Sequence, residues 1–344
     1  MTRRLAEVAR KVGVSEATVS RVLNGRSGVS ASTRTAVLTA LDVMGYERPT
    51  QLRGERARLV GLVLPELQNP IFPALAEIMG NALAQQGFTP VLCTRTAGGV
   101  SEAEYVELLL QQHVSGVVFA GGLYAQADAV HTHYQRLVER KIPTVLLNAA
   151  VEHLGLPQVS CDDVVGVEQA VSHLSSLGHE KIGVVLGPPD HIPSQRKLAT
   201  FKTCMTKAGL EASQDQIEHG MFSIESGHAA AARLLPRGVT AVLCASDLLA
   251  LGAVRAARRH GLAVPADFSV VGYDDSSLMN CTDPPLTTTR QPIEAMGRAV
   301  VELLVKQING GTVAAEELLF APELVVRGST ARAIAAARMT GTCS

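Results

Sequence analysis

From Leu59 onward the chain alternates short apolar runs with longer amphipathic stretches, and the alternation starts again after Pro157. Short apolar runs predict buried strands, and stretches with apolar residues three and four positions apart predict helices. The first series predicts strands at 59–64, 91–93, 117–119 and 144–147. The second predicts strands at 159–161, 182–186, 220–222, 241–245 and 269–272. Strands joined by crossover helices lie parallel, so the sequence predicts an α/β fold with two doubly wound sheets.

Two consecutive units of this kind predict two lobes with a cleft between them. Ligands of such sheets bind beyond the carboxyl ends of the strands. Segments 292–308 and 318–326 are expected to cross back and complete the lobes. The predicted boundaries are about 59–157 and 288–320 for lobe 1, about 158–287 and 321–332 for lobe 2, and 333–344 for a tail.

Three aspartates follow predicted strands of the second lobe. Asp274 comes after a buried run, at a carboxyl end where ligand groups belong, and is interpreted as a ligand contact. Its neighbour Asp275 is interpreted as a turn or cap residue. Asp247 is interpreted as the N-cap of the helix that begins at Leu248.

The first 47 residues lack the alternation and predict three short helices. Gly13 can adopt the positive φ that ends the first helix, and Ser15 is a good N-cap for the second. An apolar stripe on the second helix leaves its outer face to Glu16, Ala17, Ser20 and Arg21. This arrangement is typical of a helix-turn-helix that reads DNA. The alternative is a three-helix bundle without a role at nucleic acid.

Charge separates these two interpretations of the head. Residues 1–58 contain 11 Lys or Arg and 5 Asp or Glu, whereas the whole chain has a formal net charge of −1. The head and linker therefore have a net positive charge and the rest of the chain has a net negative one, as contacts between the head and DNA phosphates require. The charge favours a DNA-binding headpiece at 1–47.

A linker is predicted at 48–58, where the sequence is polar and basic and is interrupted by Pro49 and Gly54. Leu52 is its one large apolar residue. Such a side chain between arginines is a candidate wedge for a DNA minor groove.

The sequence lacks the motifs that are typical of several classes of protein. The sequence has no P-loop, no nucleophile elbow and no other catalytic constellation, so an enzyme, a cofactor and a metal site are not expected. The six cysteines show no metal-ligand spacing, which fits a reducing compartment. Neither a signal peptide nor a membrane span is recognised. A cytoplasmic protein without a membrane partner is expected.

The residues of the head and of the lobes together resemble the lactose-repressor (LacI) family of bacterial transcription regulators. The resemblance rests on segments 5–9, 13–15, 18–24 and 45–46 in the head, and on 69–72, 177–179, 245–247, 269–275 and 284–288 in the lobes. Within the family, the chain resembles actinobacterial repressors of maltose and maltodextrin genes. The resemblance implies a homodimer that binds a palindromic DNA operator, and lobes built like periplasmic sugar-binding proteins.

The resemblance also assigns roles in the head. It implies that Glu16, Ala17 and Arg21 read bases, because these side chains can match cytosine amines, thymine methyls and guanine edges. It gives phosphate contacts or capping roles to four further residues, namely Ser15, Thr18, Ser20 and Asn24. The family's hinge is longer than this linker, so whether the linker forms a helix on DNA is left open.

For a small effector, the resemblance implies a pocket between the lobes. Its implied residues are Asn69, Phe72 and Asn148 in the first lobe and Asp162, Phe222, Ser246 and Asp274 in the second. The family places Arg where Lys197 stands, so either Arg196 or Lys197 faces the cleft. Polar groups would bind adjacent hydroxyls and the two Phe rings would cover a sugar face, although ordinary core roles for these rings are equally compatible.

The expected function is therefore that of a repressor of carbohydrate-utilisation genes, released from its operator by a sugar of the maltose or maltodextrin type. The alternatives are a non-sugar co-repressor, another oligosaccharide such as cellobiose or xylobiose, and a plain sugar-binding protein. The tail has no Leu heptad for a coiled coil, which favours a dimer over a dimer of dimers.

Overall fold

The fold is described here from a computed structural model, for residues 2–23, 28–43, 58–95, 98–149 and 151–333. Contacts divide the chain into two compact units. The first holds the described residues up to Leu59 together with Gly87–Thr89, and the second holds the others. Most of the predicted linker and the tail beyond Ala333 lie outside the described residues, so the boundaries and roles given to them stay predictions.

The head consists of three helices, α1 (Thr2–Val12), α2 (Glu16–Leu23) and α3 (Ala31–Val43). Gly13 has the positive φ of +73° that the sequence predicted. Ser15 caps α2, because its Oγ accepts from the amide of Thr18 at 3.2 Å. Val8, Val19, Val22, Val37 and small neighbours are buried between the helices. The apolar faces predicted for the head therefore form its core.

Two six-stranded sheets make up the lobes. The strands of the first are β1 (Leu59–Leu64), β2 (Thr89–Thr94), β3 (Gly116–Ala120), β4 (Thr144–Leu147), β5 (Gln158–Cys161) and β11 (Glu317–Phe320). Those of the second are β6 (Ile182–Leu186), β7 (Ile217–His219), β8 (Ala241–Cys244), β9 (Ser269–Asp274), β10 (Thr287–Arg290) and β12 (Glu323–Val325). The strand orders are β11-β5-β4-β3-β1-β2 and β12-β10-β9-β8-β6-β7.

Helices connect the strands as crossover elements. They are α4 (Ile71–Gln85), α5 (Glu102–Gln111), α6 (Thr132–Glu139), α7 (Asp163–Ser176), α8 (Ile192–Lys207), α9 (Ile224–Leu234), α10 (Asp247–Arg259) and α11 (Ile293–Ile308). Neighbouring strands β1, β3, β4 and β5 pair in parallel, as do β8, β9 and β10. Strand β12 is antiparallel to β10. The predicted doubly wound α/β architecture is confirmed.

The chain passes between the sheets after β5, β10 and β11, and the first two of these passages come slightly later than the sequence predicted. Strand β5 pairs with β4 and β11 in the first sheet, whereas lobe 2 was expected from residue 158. Strand β10 pairs with β9 in the second sheet, whereas lobe 1 was expected to resume at 288. Membership of a sheet depends on which edge a strand pairs with, and local periodicity carries no information on that.

Two local predictions are wrong. The short strand expected at 220–222 is displaced, because β7 ends at His219 and Gly220 is already outside it. The N-cap of α10 is Ser246, whose Oγ accepts from the amide of Leu249 at 3.2 Å, and Asp247 is the first residue of the helix. Asp247 instead uses its carboxylate elsewhere in the lobe.

The carboxyl ends of the strands bring the functional side chains together. Asn148 follows β4, Asp162 follows β5, and Asp274 is the last residue of β9. Because parallel strands present these ends at one edge of each sheet, residues that follow the strands lie near the cleft between the lobes, and Asn148 and Asp274 line it. In the part of the chain that the structure describes, no helix combines the length and the apolarity that a membrane crossing demands.

Candidate functional site

A cavity lies between the lobes, where the carboxyl ends of both sheets meet. It is lined by seven of the residues that the sequence predicted for a ligand, namely Asn69, Phe72, Asn148, Lys197, Phe222, Ser246 and Asp274. Their convergence from six separate segments is a property of the tertiary structure. That they bind an effector stays a prediction.

The two other predicted residues lie outside this lining. Asp162 is the N-cap of α7 and accepts from the amides of Val164 and Val165 at 3.0 and 3.2 Å. Arg196 forms an ion pair with Glu317, at 2.8 Å from Nη1 and 3.1 Å from Nη2. Successive helical residues project about 100° apart. The structure therefore places Lys197, and not Arg196, at the cavity.

Sequence reasoning missed several lining residues, which include Asp163, His191, Ser194, Tyr273 and Gln291. Gln291 comes directly after strand β10, at the same sheet edge as Asp274. The sequence pattern predicted no strand at 287–290, so this position gave no usable signal. Asp163 and Tyr273 gave none, because each is the immediate neighbour of a residue that the pattern favoured.

Lys197 is the buried cation of the cavity, and its charge is already compensated. Its Nζ forms an ion pair with Asp163 and lies 4.1 Å from the centre of the Tyr273 ring. The Tyr273 hydroxyl donates to Asp163 at 3.0 Å. An ammonium that is already paired with a carboxylate and an aromatic ring attracts an additional anionic ligand only weakly. The cavity is therefore suited to a neutral polar molecule.

Asp274 is the carboxyl group at the centre of the cavity and is 6% exposed. Gln291 donates to it through Nε2 at 2.7 Å. Burial and the nearby charge of Asp247 raise the pKa of Asp274 well above its usual value, and the hydrogen bonds from Gln291 and Asn69 and the charge of Lys197 oppose the shift only in part. The raised pKa favours the protonated form, and a protonated carboxyl group can both donate and accept, as a ligand hydroxyl requires.

Asp247 lies behind Asp274 and is 1% exposed. It accepts from the amide and the hydroxyl of Ser276, each at 2.8 Å, and from the hydroxyl of Thr288 at 2.6 Å. Burial raises its pKa to about 6, against the lowering effect of these hydrogen bonds. Asp247 therefore ties the segment after β9 to β10 and adds negative charge behind the cavity.

The titration of Asp247 gives a testable dependence of stability on pH. Its pKa is near 3.8 when unperturbed and about 6 in the folded protein. Its favourable contribution is therefore full below about pH 4 and is lost as the pH rises through 6. Asp247→Asn loses hydrogen bonds but cannot ionise. Relative to wild type, its free energy of unfolding should improve by about 2 to 3 kcal/mol between pH 4 and pH 7.

Urea unfolding at the two pH values measures this difference. Asp215→Asn, at an exposed position before β7, is the matched control, and its difference from wild type should not change with pH. A constant difference for Asp247→Asn would contradict the assigned titration.

Backbone strain marks the same edge of the sheets. Asn148, Asp274 and Asp275 have positive φ values of +69°, +112° and +54°. Non-glycine residues in such conformations cost of order 1–3 kcal/mol each, and strain of this kind concentrates at ligand sites. Asp275 forms ion pairs with Arg290 at 2.6 Å and Arg327 at 2.7 Å, which hold the strained segment. Asp275 is thus fixed structurally while Asp274 lines the cavity.

Phe222 and Phe72 supply the apolar surface of the cavity. Phe222 packs directly against Gly187, where an added Cβ would be 2.2 Å from its Cζ. The edge of His191 lies against the same ring, with centroids 5.2 Å apart. Burial, and to a smaller extent the charge of Lys197, lower the pKa of His191 to about 4, so this ring is neutral at pH 7.

Gly187→Ala should weaken binding of a cavity ligand by about tenfold, since the methyl group would displace the Phe222 ring. Calorimetric titration with the ligand measures this loss. The double variant with Phe222→Ala should bind no more weakly than Phe222→Ala alone, because both changes remove one contact. Additive losses would show that Gly187 acts elsewhere.

The head presents a second candidate site on α2. Glu16, Ala17 and Arg21 are exposed on this helix, Ser20 is half-buried, and Val19 and Val22 point into the core. Ser15 and Thr18 contact each other through their hydroxyls at 2.9 Å at the start of the helix. Asn24 and Leu52 lie outside the described residues. Glu16, Ala17 and Arg21 therefore form an exposed face of α2, and that this face reads DNA bases stays a prediction.

No group of three or more His, Cys, Asp or Glu side chains within the described ranges is placed to hold a metal ion. The polar groups of the cleft include amides, hydroxyls, carboxyls, one neutral imidazole and one compensated ammonium. Such a set binds and orients a ligand.

Comparison with known proteins adds independent information. The family described as "Bacterial regulatory proteins, lacI family" matches residues 4–49, and the "Periplasmic binding protein-like domain" matches residues 171–330. The HTH-type transcriptional regulator MalR of Streptomyces coelicolor is 51% identical over 337 residues, which cover 97% of this chain and 98% of that protein. CelR of Thermobifida fusca is 35% identical and covers 94% of this chain and 97% of its own length.

Solved structures agree with these relatives. The structure of a transcriptional regulator CelR–cellobiose complex has a TM-score of 0.71 at 35% identity, and the match covers 94% of this chain and 99% of that one. The lac repressor dimer bound to operator and the anti-inducer ONPF has a TM-score of 0.73 at 30% identity, with 94% and 98% covered. With relatives of this identity along almost its whole length, the chain belongs to the LacI family of bacterial DNA-binding transcriptional regulators, which are not enzymes.

Proposed function

We propose that this regulator is a cytoplasmic homodimer that represses carbohydrate-utilisation genes, and that an unphosphorylated sugar bound between its lobes releases it from a palindromic operator. The observation that carries the sugar is the composition of the cleft. Asp274, Gln291, Asn69 and Asn148 offer closely spaced polar groups, and Phe222 and Phe72 offer flat apolar surface. Adjacent hydroxyls and an apolar ring face are the two features of a sugar that this combination recognises.

The pairing of Lys197 supports a neutral ligand over a sugar phosphate. A phosphate needs an uncompensated cation or several free amides. The Lys197 ammonium is held by Asp163 and by the Tyr273 ring, and His191 is neutral at pH 7. A ligand with two negative charges would therefore meet carboxyl groups without a free positive partner.

Two relatives support a choice among sugars. A regulator named MalR shares about half of its residues with this chain, and a CelR structure contains cellobiose. We favour an α-linked glucose oligosaccharide such as maltose or maltotriose. Binding of the sugar would release DNA if its affinity is higher for the lobe arrangement that does not fit the operator.

The test is a titration of a fluorescent operator, selected from random palindromic DNA, with maltose, maltotriose, cellobiose and xylobiose. Anisotropy should fall with the first two sugars at concentrations that leave the operator bound with the others. Release only by cellobiose or xylobiose would overturn the maltose assignment. Tighter DNA binding with any of them would indicate a co-repressor.

Sedimentation and a truncated chain test the remaining parts. The full chain should sediment as a dimer. Removal of residues 1–58 should abolish DNA binding while sugar binding persists. DNA retention by the truncated chain would contradict the proposed role of the head.

A further inference from the structure

A buried cluster of polar side chains lies behind the wall of the cleft in the first lobe. The cluster consists of Glu102, His133, Tyr134 and Tyr124, all of them buried. None of these four side chains lines the cavity. From their contacts with one loop, we infer that Glu102 is a positioning residue, which holds the cleft-lining segment 121–127 in the arrangement that binds ligand and touches the second lobe. This inference rests on the proposed function of the cleft.

Segment 121–127 has two roles at the cleft. Gly121 and Ala125 line the cavity. Further along, the amide of Ala127 donates to the carbonyl of Asp190 in the second lobe at 2.8 Å, and Gln126 forms a β-bridge with His191. The segment is thus both a wall of the cavity and a direct backbone link between the lobes.

Glu102 contacts this segment from the side away from the cavity. One carboxylate oxygen accepts from the amide of Leu123 at 3.2 Å. The other accepts from the hydroxyl of Tyr134 and lies 3.0 Å from Nε2 of His133. The approach is so close that a Cβ on Gly122 would be 2.6 Å from the carboxylate. Gly122 has a φ of +149° and no side chain, which leaves room for the carboxylate.

Two tyrosines extend the contact along the segment. The hydroxyl of Tyr134 accepts from the amide of Tyr124 at 2.9 Å. The hydroxyl of Tyr124 accepts from the amide of Gly121 at 2.7 Å and donates to the carbonyl of Leu147. Leu147 precedes the strained cavity residue Asn148. The amides of residues 121, 123 and 124 are therefore all bound by this network, and it reaches the end of β4.

Capping of helix α5 does not explain Glu102. The capping box of α5 is formed by Ser101 and Glu104, with contacts of 2.7 and 3.2 Å. Glu102 is 4% exposed although it stands in the first helical turn, where carboxylates are usually solvated. A buried carboxylate is costly unless each of its oxygens is bonded. Here the partners of Glu102 belong to the cleft-lining segment 121–127 and to helix α6.

Glu102→Gln tests the positioning role, with Glu104→Gln as the matched control on the same helix. Glutamine keeps the size of Glu102 but has one acceptor oxygen in place of two, so it cannot accept from both the Leu123 amide and the Tyr134 hydroxyl. We expect the sugar concentration at half-release of the operator to rise about tenfold. Operator affinity without sugar should stay within about twofold of wild type, and the control should match wild type in both measurements.

Hydrogen–deuterium exchange of the sugar-free protein gives a second readout, which does not depend on the effector. Amides in 121–127 should exchange about tenfold faster in Glu102→Gln, while those of strand β6 keep wild-type rates. A role confined to stability would instead raise exchange throughout the lobe and lower both affinities together. If Glu102→Gln does not fold, Tyr134→Phe replaces it as the test variant. This change removes only the hydroxyl that links Glu102 to the segment, and it should also raise the exchange rates of the amides in 121–127.

The outcomes separate the two proposals. If no tested sugar releases the wild-type protein from the operator, the proposed function fails. Hydrogen–deuterium exchange of segment 121–127 then tests the positioning role of Glu102 by itself. If the wild-type protein responds and Glu102→Gln responds at the same concentration, the positioning role is overturned. Unchanged exchange at 121–127 in both variants would overturn it as well.

Discussion

Asp274→Ala is expected to abolish release by sugar while the protein still binds its operator, which gives a repressor that no sugar switches off. Asp274 is the buried carboxyl at the centre of the cavity, and Gln291 is oriented by it at 2.7 Å. Its removal deletes one ligand contact and leaves the amide of Gln291 unpaired. We expect sugar affinity to fall by at least about a hundredfold, because two hydrogen bonds to polar partners are lost.

Calorimetric titration with the effective sugar and anisotropy with labelled operator measure the two affinities separately. Operator affinity should stay within about twofold of wild type, because Asp274 lies in the lobes and not in the head. Asp215→Ala, at an exposed position before β7, is the control. If the Asp274→Ala variant is released from the operator at the same sugar concentration as wild type, Asp274 does not belong to the proposed ligand site.

Arg21→Ala is expected to produce the opposite separation of the two affinities. Arg21 is exposed on α2 beside Glu16 and Ala17, and its guanidinium can bond both acceptors of a guanine. The loss of such a contact costs about 1 to 3 kcal/mol, or roughly 5- to 150-fold in operator affinity. Affinity for sugar should be unchanged.

Competition between operator and unrelated DNA shows whether the contact reads a base. Arg21→Ala should lower the preference for operator, whereas Lys11→Ala, which removes an exposed positive charge from α1, should weaken both kinds of binding alike. An equal loss on both DNAs for Arg21→Ala would restrict Arg21 to a phosphate contact.

Local patterns predicted the elements of this protein well because apolar periodicity reports which face of an element is buried. Most of the predicted strands lie within a few residues of their predicted bounds, and Gly13 and Ser15 adopt the roles that their chemistry favours. Residues at the carboxyl ends of strands, such as Asn148 and Asp274, line the cavity as expected. For these positions the order of strand and following residue was sufficient.

The sequence was insufficient where two neighbouring residues are candidates for one place: it favoured Asp162 over Asp163, and it left the choice between Arg196 and Lys197 open. Asp162 caps α7 and Asp163 lines the cavity. Arg196 pairs with Glu317 and Lys197 lines the cavity. One residue along a helix changes the direction of a side chain by about 100°. Such a choice depends on how the whole helix is rotated against its sheet, which the pattern of the sequence does not specify.

The sequence by itself determined a basic helix-turn-helix head, two alternating α/β units and polar residues at the ends of their strands, because these follow from charge, periodicity and local chain chemistry. Only the tertiary structure decided which strands join which sheet, which cation is buried in the cleft, and which groups hold the cleft from behind. Glu102 contacts residues 21 to 32 positions away in the chain. Contacts between such distant segments arise from packing, and a single sequence leaves no local trace of them.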